Sequence, residues 1–206
     1  MPFLGTLRAA IETMKKCAKA LRLWFAVGVA GLFFCPDASA LMIPLATTSL
    51  VDHASCIIEG QVTNLSSRWT DDRSAIVTEA VVVTTDVLLG NTNCVTFLYK
   101  GGVVGDLEQQ VSDMPRLTNG QQVLVFLRPQ TPDEAKRDRA DAQREPRYTL
   151  LGAAQGLYRI EGGRAKKDGF AVVGDSAVID RNVDVTVLKA RIRERLGASR
   201  RGGSRP

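Results

Sequence analysis

The run Ile76-Val77-Thr78-Glu79-Ala80-Val81-Val82-Val83-Thr84-Thr85-Asp86-Val87-Leu88-Leu89 leaves the chain few ways to fold. β-Branched residues dominate it, they favour extended backbone over helix, and neither Gly nor Pro interrupts it. It stops at Gly90, and a second run, Cys94-Val95-Thr96-Phe97-Leu98-Tyr99, follows and ends at Lys100-Gly101-Gly102. This is the composition of two strands joined by a short turn. One face of the first strand carries Ile76, Thr78, Ala80, Val82 and Thr84, and the other carries Val77, Val81, Val83 and Val87. Neither face is consistently polar, which predicts a central strand covered on both sides. The fold expected is mainly β, a small antiparallel barrel that is closed or partly open.

The beginning of the chain reads as an export signal. Lys15, Lys16, Lys19 and Arg22 form a positive region, Leu23 to Phe34 an apolar core, and Ala38-Ser39-Ala40 a small-residue cleavage site. The expectation is a signal peptide over residues 1–40, cut between Ala40 and Leu41, with Met14 as the translation start. A spanning helix needs roughly 20 apolar residues, and this core has about a dozen. Cys35 raises the alternative of a lipoprotein, but Phe34 puts a bulky ring where a small residue is wanted. The mature protein is then expected in the periplasm or outside the cell, with no transmembrane segment.

Removing that leader changes the charge argument. The mature chain holds 22 basic and 20 acidic side chains, and Arg200, Arg201 and Arg205 lie in the Gly/Ser-rich end. The folded part is therefore near neutral, which argues against nucleic acid as a partner. Cys56 and Cys94 remain as an even pair in an oxidising compartment, each in or at the start of a predicted strand. A disulfide between neighbouring strands is expected, the alternative being two buried free thiols. The single His and the absence of CxxC or HExxH spacing imply no metal site, and no spacing implies a cofactor.

Along the mature chain, Leu41 to Ser49 reads as an extended lead-in. Cys56 to Val62 reads as the first strand, with a bulge or bend at Gly60. Thr63 to Arg73 is a polar connection around Trp69. Gly101-Gly102-Val103-Val104-Gly105-Asp106 lacks the Lys-Ser/Thr of a phosphate loop, so it reads as a wide turn whose glycines take positive φ. Val123 to Leu127 is a buried strand, and residues 131–147 are a charged exposed loop or frayed helix. Tyr148 to Leu151, Leu157 to Ile160 and Gly169 to Val173 supply the last strands. Val185, Leu188, Ile192 and Leu196 set a helical period, so a helix is expected over 184–196, capped by Asp184 and stopped at Gly197, with a disordered tail over 198–206. Residues 41–197 would form a single domain.

Read together, Asp52-x-x-x-Cys56-Ile57-Ile58-Glu59-Gly60-x-Val62, Arg68-Trp69, Ile76-Val77-Thr78, Val87-Leu88-Leu89-Gly90, Gly101 to Asp106 and Gly120-x-x-Val123-Leu124-Val125-Phe126-Leu127 resemble a recurrent domain of secreted bacterial proteins with no established activity. The resemblance covers roughly Leu50 to Ile160. More remotely, the order strand, Gly, long strand, Leu-x-Gly, strand is similar to the OB-like barrel of tissue inhibitors of metalloproteinases and netrin-type modules. That family's N-terminal Cys-x-Cys is missing here, so no inhibitory residue carries over.

Catalysis would have to draw on His53, the only imidazole, and no GxSxG accompanies it. A hydrolase using Cys56 and His53 is one alternative, and an envelope structural protein without a discrete ligand is another. The favoured expectation is a non-catalytic binding module, with loops presented from a rigid scaffold. Arg68 and Trp69 are the candidate contacts for a protein or glycan partner, Trp69 depending on whether it is exposed or plugs the core.

Overall fold

The computed structural model describes residues 41–137, 148–167, 170–172 and 179–201. The signal peptide over 1–40, the Met14 start, residues 138–147 of the charged loop and residues 202–206 of the tail lie outside them.

The long β-branched run forms β3 (Ile76–Leu89), antiparallel to β2 (Cys56–Trp69) on one side and β4 (Cys94–Lys100) on the other. β2 also pairs with β7 (Gln122–Pro129), and β7 pairs with β8 (Tyr148–Leu150), which lies parallel to β4. The circuit β2-β3-β4-β8-β7-β2 is a closed five-stranded, OB-like barrel. From Leu127, paired with Cys56, one step to Arg128 and then round through Thr149, Leu98 and Glu79 returns the register to β2 at Ser66. That stagger tilts the strands and lets so few of them close. Beyond the barrel, β9 (Leu157–Glu161), β10 (Arg164–Lys166) and β12 (Asn182–Asp184) continue the sheet from β7. β5 (Gly102–Val104) and β6 (Leu107–Gln109) make a small hairpin, and β1 (Leu41–Met42) pairs with β11 (Ala171–Val172).

Strand alternation sorts the apolar residues into two cores. Cys56, Ile58, Val62, Ala80, Val82, Val95, Phe97, Val123, Val125 and Leu127 fill the barrel. The opposite parity, with Ile57, Leu124 and Phe126, joined by Leu88 beyond the β3 register shift near Thr85, packs against two helices, α1 (Thr47–His53) and α3 (Val185–Arg201). β3 is buried through Val82 on its inner face, but from Val83 its outer face opens to water, so coverage of both faces holds only for its first half.

The sequence expectations need four corrections. First, β2 does not stop at Val62. The polar stretch Thr63–Trp69 is strand, because its outward positions tolerate solvent while Thr78, Ala80 and Val82 of β3 hold the register. Gly60 marks a register shift, as the bend there required.

Second, the lead-in is partly helical. Leu50 and Val51 of α1 are buried in the outer core, and Gln155, also buried, holds the preceding segment by accepting from Leu45 N–H at 2.7 Å and donating to Ile43 O at 2.9 Å.

Third, the terminal helix runs past Gly197 to Arg201, so residues 198–201 are not tail. A mid-helix Gly costs about 1 kcal/mol, and Ala198, Arg200 and Arg201 are strong helix formers. Leu188, Ile192 and Leu196 do form its buried stripe, and Asp184 Oδ1 caps it by accepting from Thr186 N–H at 2.8 Å and Val187 N–H at 3.2 Å.

Fourth, Cys56 and Cys94 are not bridged. Cys56 points into the barrel, while Cys94 is exposed, with the parity opposite to Val95 and Phe97. Cys94 pairs with Val83, whereas Cys56 adjoins the Ile57–Leu89 pair at the far end of β3. A disulfide needs Cα atoms within about 7 Å and Cβ vectors that converge. These cysteines therefore carry no argument for an oxidising compartment.

Of the charged stretch, Pro132–Arg137 is a helix, α2, opened by a reciprocal cap. Thr131 N–H donates to Glu134 Oε2 at 2.9 Å, and Glu134 N–H donates to Thr131 Oγ1 at 3.3 Å. Arg128 clamps the same carboxylate at 2.9 and 2.6 Å and holds it down at about 2.

Candidate functional site

The surface best built for contact lies at one end of the barrel, where the β2–β3 hairpin and the β5–β6 hairpin meet. Ser67 and Thr78 face each other across the last rungs of β2 and β3, their hydroxyls 2.8 Å apart. Thr78 donates to Gly101 O at 2.5 Å, and Val103 N–H reaches Ser67 Oγ at 3.4 Å. Gln109 Oε1 accepts from Ile76 N–H at 2.5 Å. These bonds lay β5–β6 across the barrel mouth. The backbone passes close enough that a Cβ on Gly102 would run into both hydroxyls, and at φ 136° the position requires glycine in any case. The expected wide glycine turn is thus the root of this hairpin.

Beneath the hairpin is a cavity of about 250 Å³ whose lining includes Tyr99, Val103, Val111, Met114 and Leu117. Val103 lines it and is 56 % exposed, Trp69 on the last rung of β2 is 37 % exposed, and Leu107, 60 % exposed, pairs with Val104 and so takes the opposite face of the hairpin from Val103. Trp69 pairs with Ile76 on the outermost rung, so it is presented at the rim and does not plug the core. Its turn is rigid. Asp72 Oδ1 accepts from Thr70 Oγ1 at 2.7 Å, from Ser74 N–H at 3.0 Å and from Ser74 Oγ at 2.8 Å, and these bonds hold its carboxyl at about 2.

Arg68 points the other way. It stands in one cross-strand row with Val77 and Lys100 on the outer face, and its Nη2 is buried without a hydrogen-bond partner. The structure therefore leaves Trp69 and Val103 exposed at this end of the barrel, turns Leu107 to the other face of the β5–β6 hairpin and sets Arg68 on the outer face of the sheet. Val103 and Leu107 escaped the sequence reading. The signal was present, since Gly105-Asp106 between Val104 and Leu107 is a two-residue hairpin pattern.

The other candidates separate. Cys56 is in the barrel interior, and burial pushes its thiol up to about 11. His53 is exposed on α1, beyond the outer core, with Nδ1 2.8 Å from Ser49 O. The two lie on opposite sides of the sheet, so they form no nucleophile–base pair. Among the described residues, no three His, Cys, Asp or Glu side chains gather to hold a metal ion, and no helix is long and apolar enough to cross a membrane.

No protein-family model matches the chain, and no curated protein matches it in sequence.

Proposed function

We propose that the chain is an exported, non-catalytic binding module of the bacterial envelope or medium, and that the β2–β3 and β5–β6 end of the barrel receives a protein partner. The observation that carries this reading is the exposure of Trp69 and Val103 at the end of the barrel where a largely apolar cavity opens on a hydrogen-bonded scaffold. An exposed aromatic anchor beside a pocket is where protein interfaces concentrate their energy. Val103, Val111, Met114 and Leu117 in the cavity lining favour a protein over a glycan, whose recognition needs more polar partners. Export rests on the leader sequence alone.

The test is capture of partners from envelope extract and medium by wild-type protein, Trp69→Ala and Val103→Glu, with Tm measured on each. Loss of at least tenfold in capture by both variants, at unchanged Tm, supports the reading. Equal capture by all three would overturn it. Intact mass of the protein from those fractions tests export, with a mature chain starting at Leu41 as the expected result.

A further inference from the structure

Lys167, the residue after β10, is 4 % exposed, and its Nζ has no hydrogen-bond partner. The amine lies 4.2 Å from the ring centroid of Tyr158, which is itself fully buried. The Tyr158 hydroxyl is 3.0 Å from Thr47 Oγ1, and Thr47 Oγ1 donates to Asp180 Oδ2 at 3.0 Å. Thr47 has one hydrogen and gives it to the carboxylate, so Tyr158 is the donor to Thr47. Asp180 Oδ1 in turn accepts from Arg191 of α3 at 3.1 Å. Thr47 is the first residue of α1, so this chain of bonds ties the N-terminal helix to the sheet. Beside it, Thr47, Thr48, Val51, Asp180, Arg191 and Arg195 line a cavity of about 240 Å³, so the Thr47–Asp180 contact borders open space.

An ammonium buried without an acceptor costs several kcal/mol, and a ring face returns about 0.5–2 kcal/mol of that. The amine therefore suits this place only when uncharged, and burial does push it down to about 7. Once protonated it needs an anion, and Asp180 is the carboxylate whose field already reaches it. Both Asp180 oxygens are engaged, Oδ2 with Thr47 and Oδ1 with Arg191, so a turn toward Lys167 strains those bonds.

We propose that Lys167 is a proton-operated latch on the N-terminal segment: on taking up a proton it draws Asp180 away from Thr47 and loosens α1 from the sheet. The groups facing the amine define the response. Tyr158 of β9 stays a phenol, because burial raises it far above its ordinary value. Arg181 opposes a second positive charge, and Arg191 competes for Asp180. Arg195 of α3 lines the same cavity and pairs with Asp52 of α1, so this ion pair is a second tether of the helix that remains when Thr47 is released.

Hydrogen exchange of the full chain, corrected for intrinsic rates, tests the latch. In wild type the opening constant of peptides covering 47–54 should rise from pH 9 to pH 6 at least tenfold more than that of β7 peptides, which report global unfolding. Lys167→Met and Asp180→Asn should abolish that response, so the test survives if one of them fails to fold. Thr47→Val should leave α1 loosened at both pH values. His53→Asn, which removes the imidazole of α1 itself, should respond as wild type does. A wild-type protein with no response, or a response that persists without Lys167 or without Asp180, would overturn the proposal, as would its loss in His53→Asn.

Discussion

Lys189 Nζ sits 2.7 Å from Glu59 Oε2 and 2.6 Å from Asp86 Oδ2, and these two carboxylates stand directly opposite each other on β2 and β3. Like charges facing across a strand pair destabilise a sheet. The α3 amine turns that repulsion into a three-way contact, and Arg193 adds a bond to Asp86 at 2.8 Å. Lys189→Met should destabilise the fold by about 1–3 kcal/mol in urea unfolding at pH 7, because it leaves two partly buried carboxylates unbridged. Adding Asp86→Asn should recover part of the loss. The hydrogen bond from Lys189 is the main reason that Asp86 lies below the usual carboxylate range. Its folded value is depressed, so its contribution is present above the ordinary Asp range and disappears as pH falls through the folded value. At pH 3 the difference between wild type and Lys189→Met should therefore shrink.

Gly60→Ala should be among the most disruptive single-methyl additions in the barrel. A Cβ there would strike the Val83 carbonyl and approach Val82 Cγ1 at 2.7 Å, both held by the β2–β3 register. Overpacking of this kind costs about 1–3 kcal/mol or more. Gly120→Ala makes the contrast, since nothing lies within 4 Å of its added Cβ and its cost comes only from φ 83°. Thermal unfolding of the two variants should rank Gly60→Ala as the less stable.

The cysteines give a direct check of strand parity. Cys94 should react with a thiol reagent in the native protein without prior reduction. Cys56, buried and with its thiol raised to about 11, should react only after unfolding. Two unreactive cysteines that alkylate only after reduction would mean that the register of β3 and β4 is wrong.

Lys167 also leaves a signature in global stability. Its folded value, about 7, lies below the ordinary lysine value of 10.5, so between those pH values the unfolded chain binds more protons. Stability should rise with pH across that window, with a slope approaching one proton. Lys167→Met should flatten the slope and be the more stable protein at pH 7, which urea titrations at pH 7 and pH 9 would show.

The sequence spoke most clearly where one residue type serves both local preference and burial. The bounds of β3 were legible because Val, Ile and Thr favour extension and also fill the barrel. The α3 stripe was legible because Leu188, Ile192 and Leu196 keep a helical period on a single buried side. Two elements were hidden for opposite reasons. Thr63 to Trp69 has turn-forming composition, and only pairing with β3 makes it strand. α1 has too few residues for periodicity to register, and its burial against Phe126 and Ile192 is a long-range event. The cysteine pairing failed because even count and strand placement say nothing of which face a side chain takes. At the candidate surface, Trp69 could be found as a lone aromatic in a polar stretch. Val103 could not be joined to it, because β5–β6 meets the β2–β3 hairpin through long-range bonds to Ser67, Ile76 and Thr78.

The barrel's circumference depends on its shortest member. β8 offers three residues, Tyr148–Leu150, and joins β4 through the Phe97–Tyr148 and Leu98–Thr149 pairs. A tube fastened by so short a stave has a seam. Its hoop strength is set there, while β2 and β3 are laced together along nearly their whole length. Under load or heat the wall should part first between β4 and β8, leaving a curved sheet whose inner lining, beginning with Phe97, is the first part of the core to become wet.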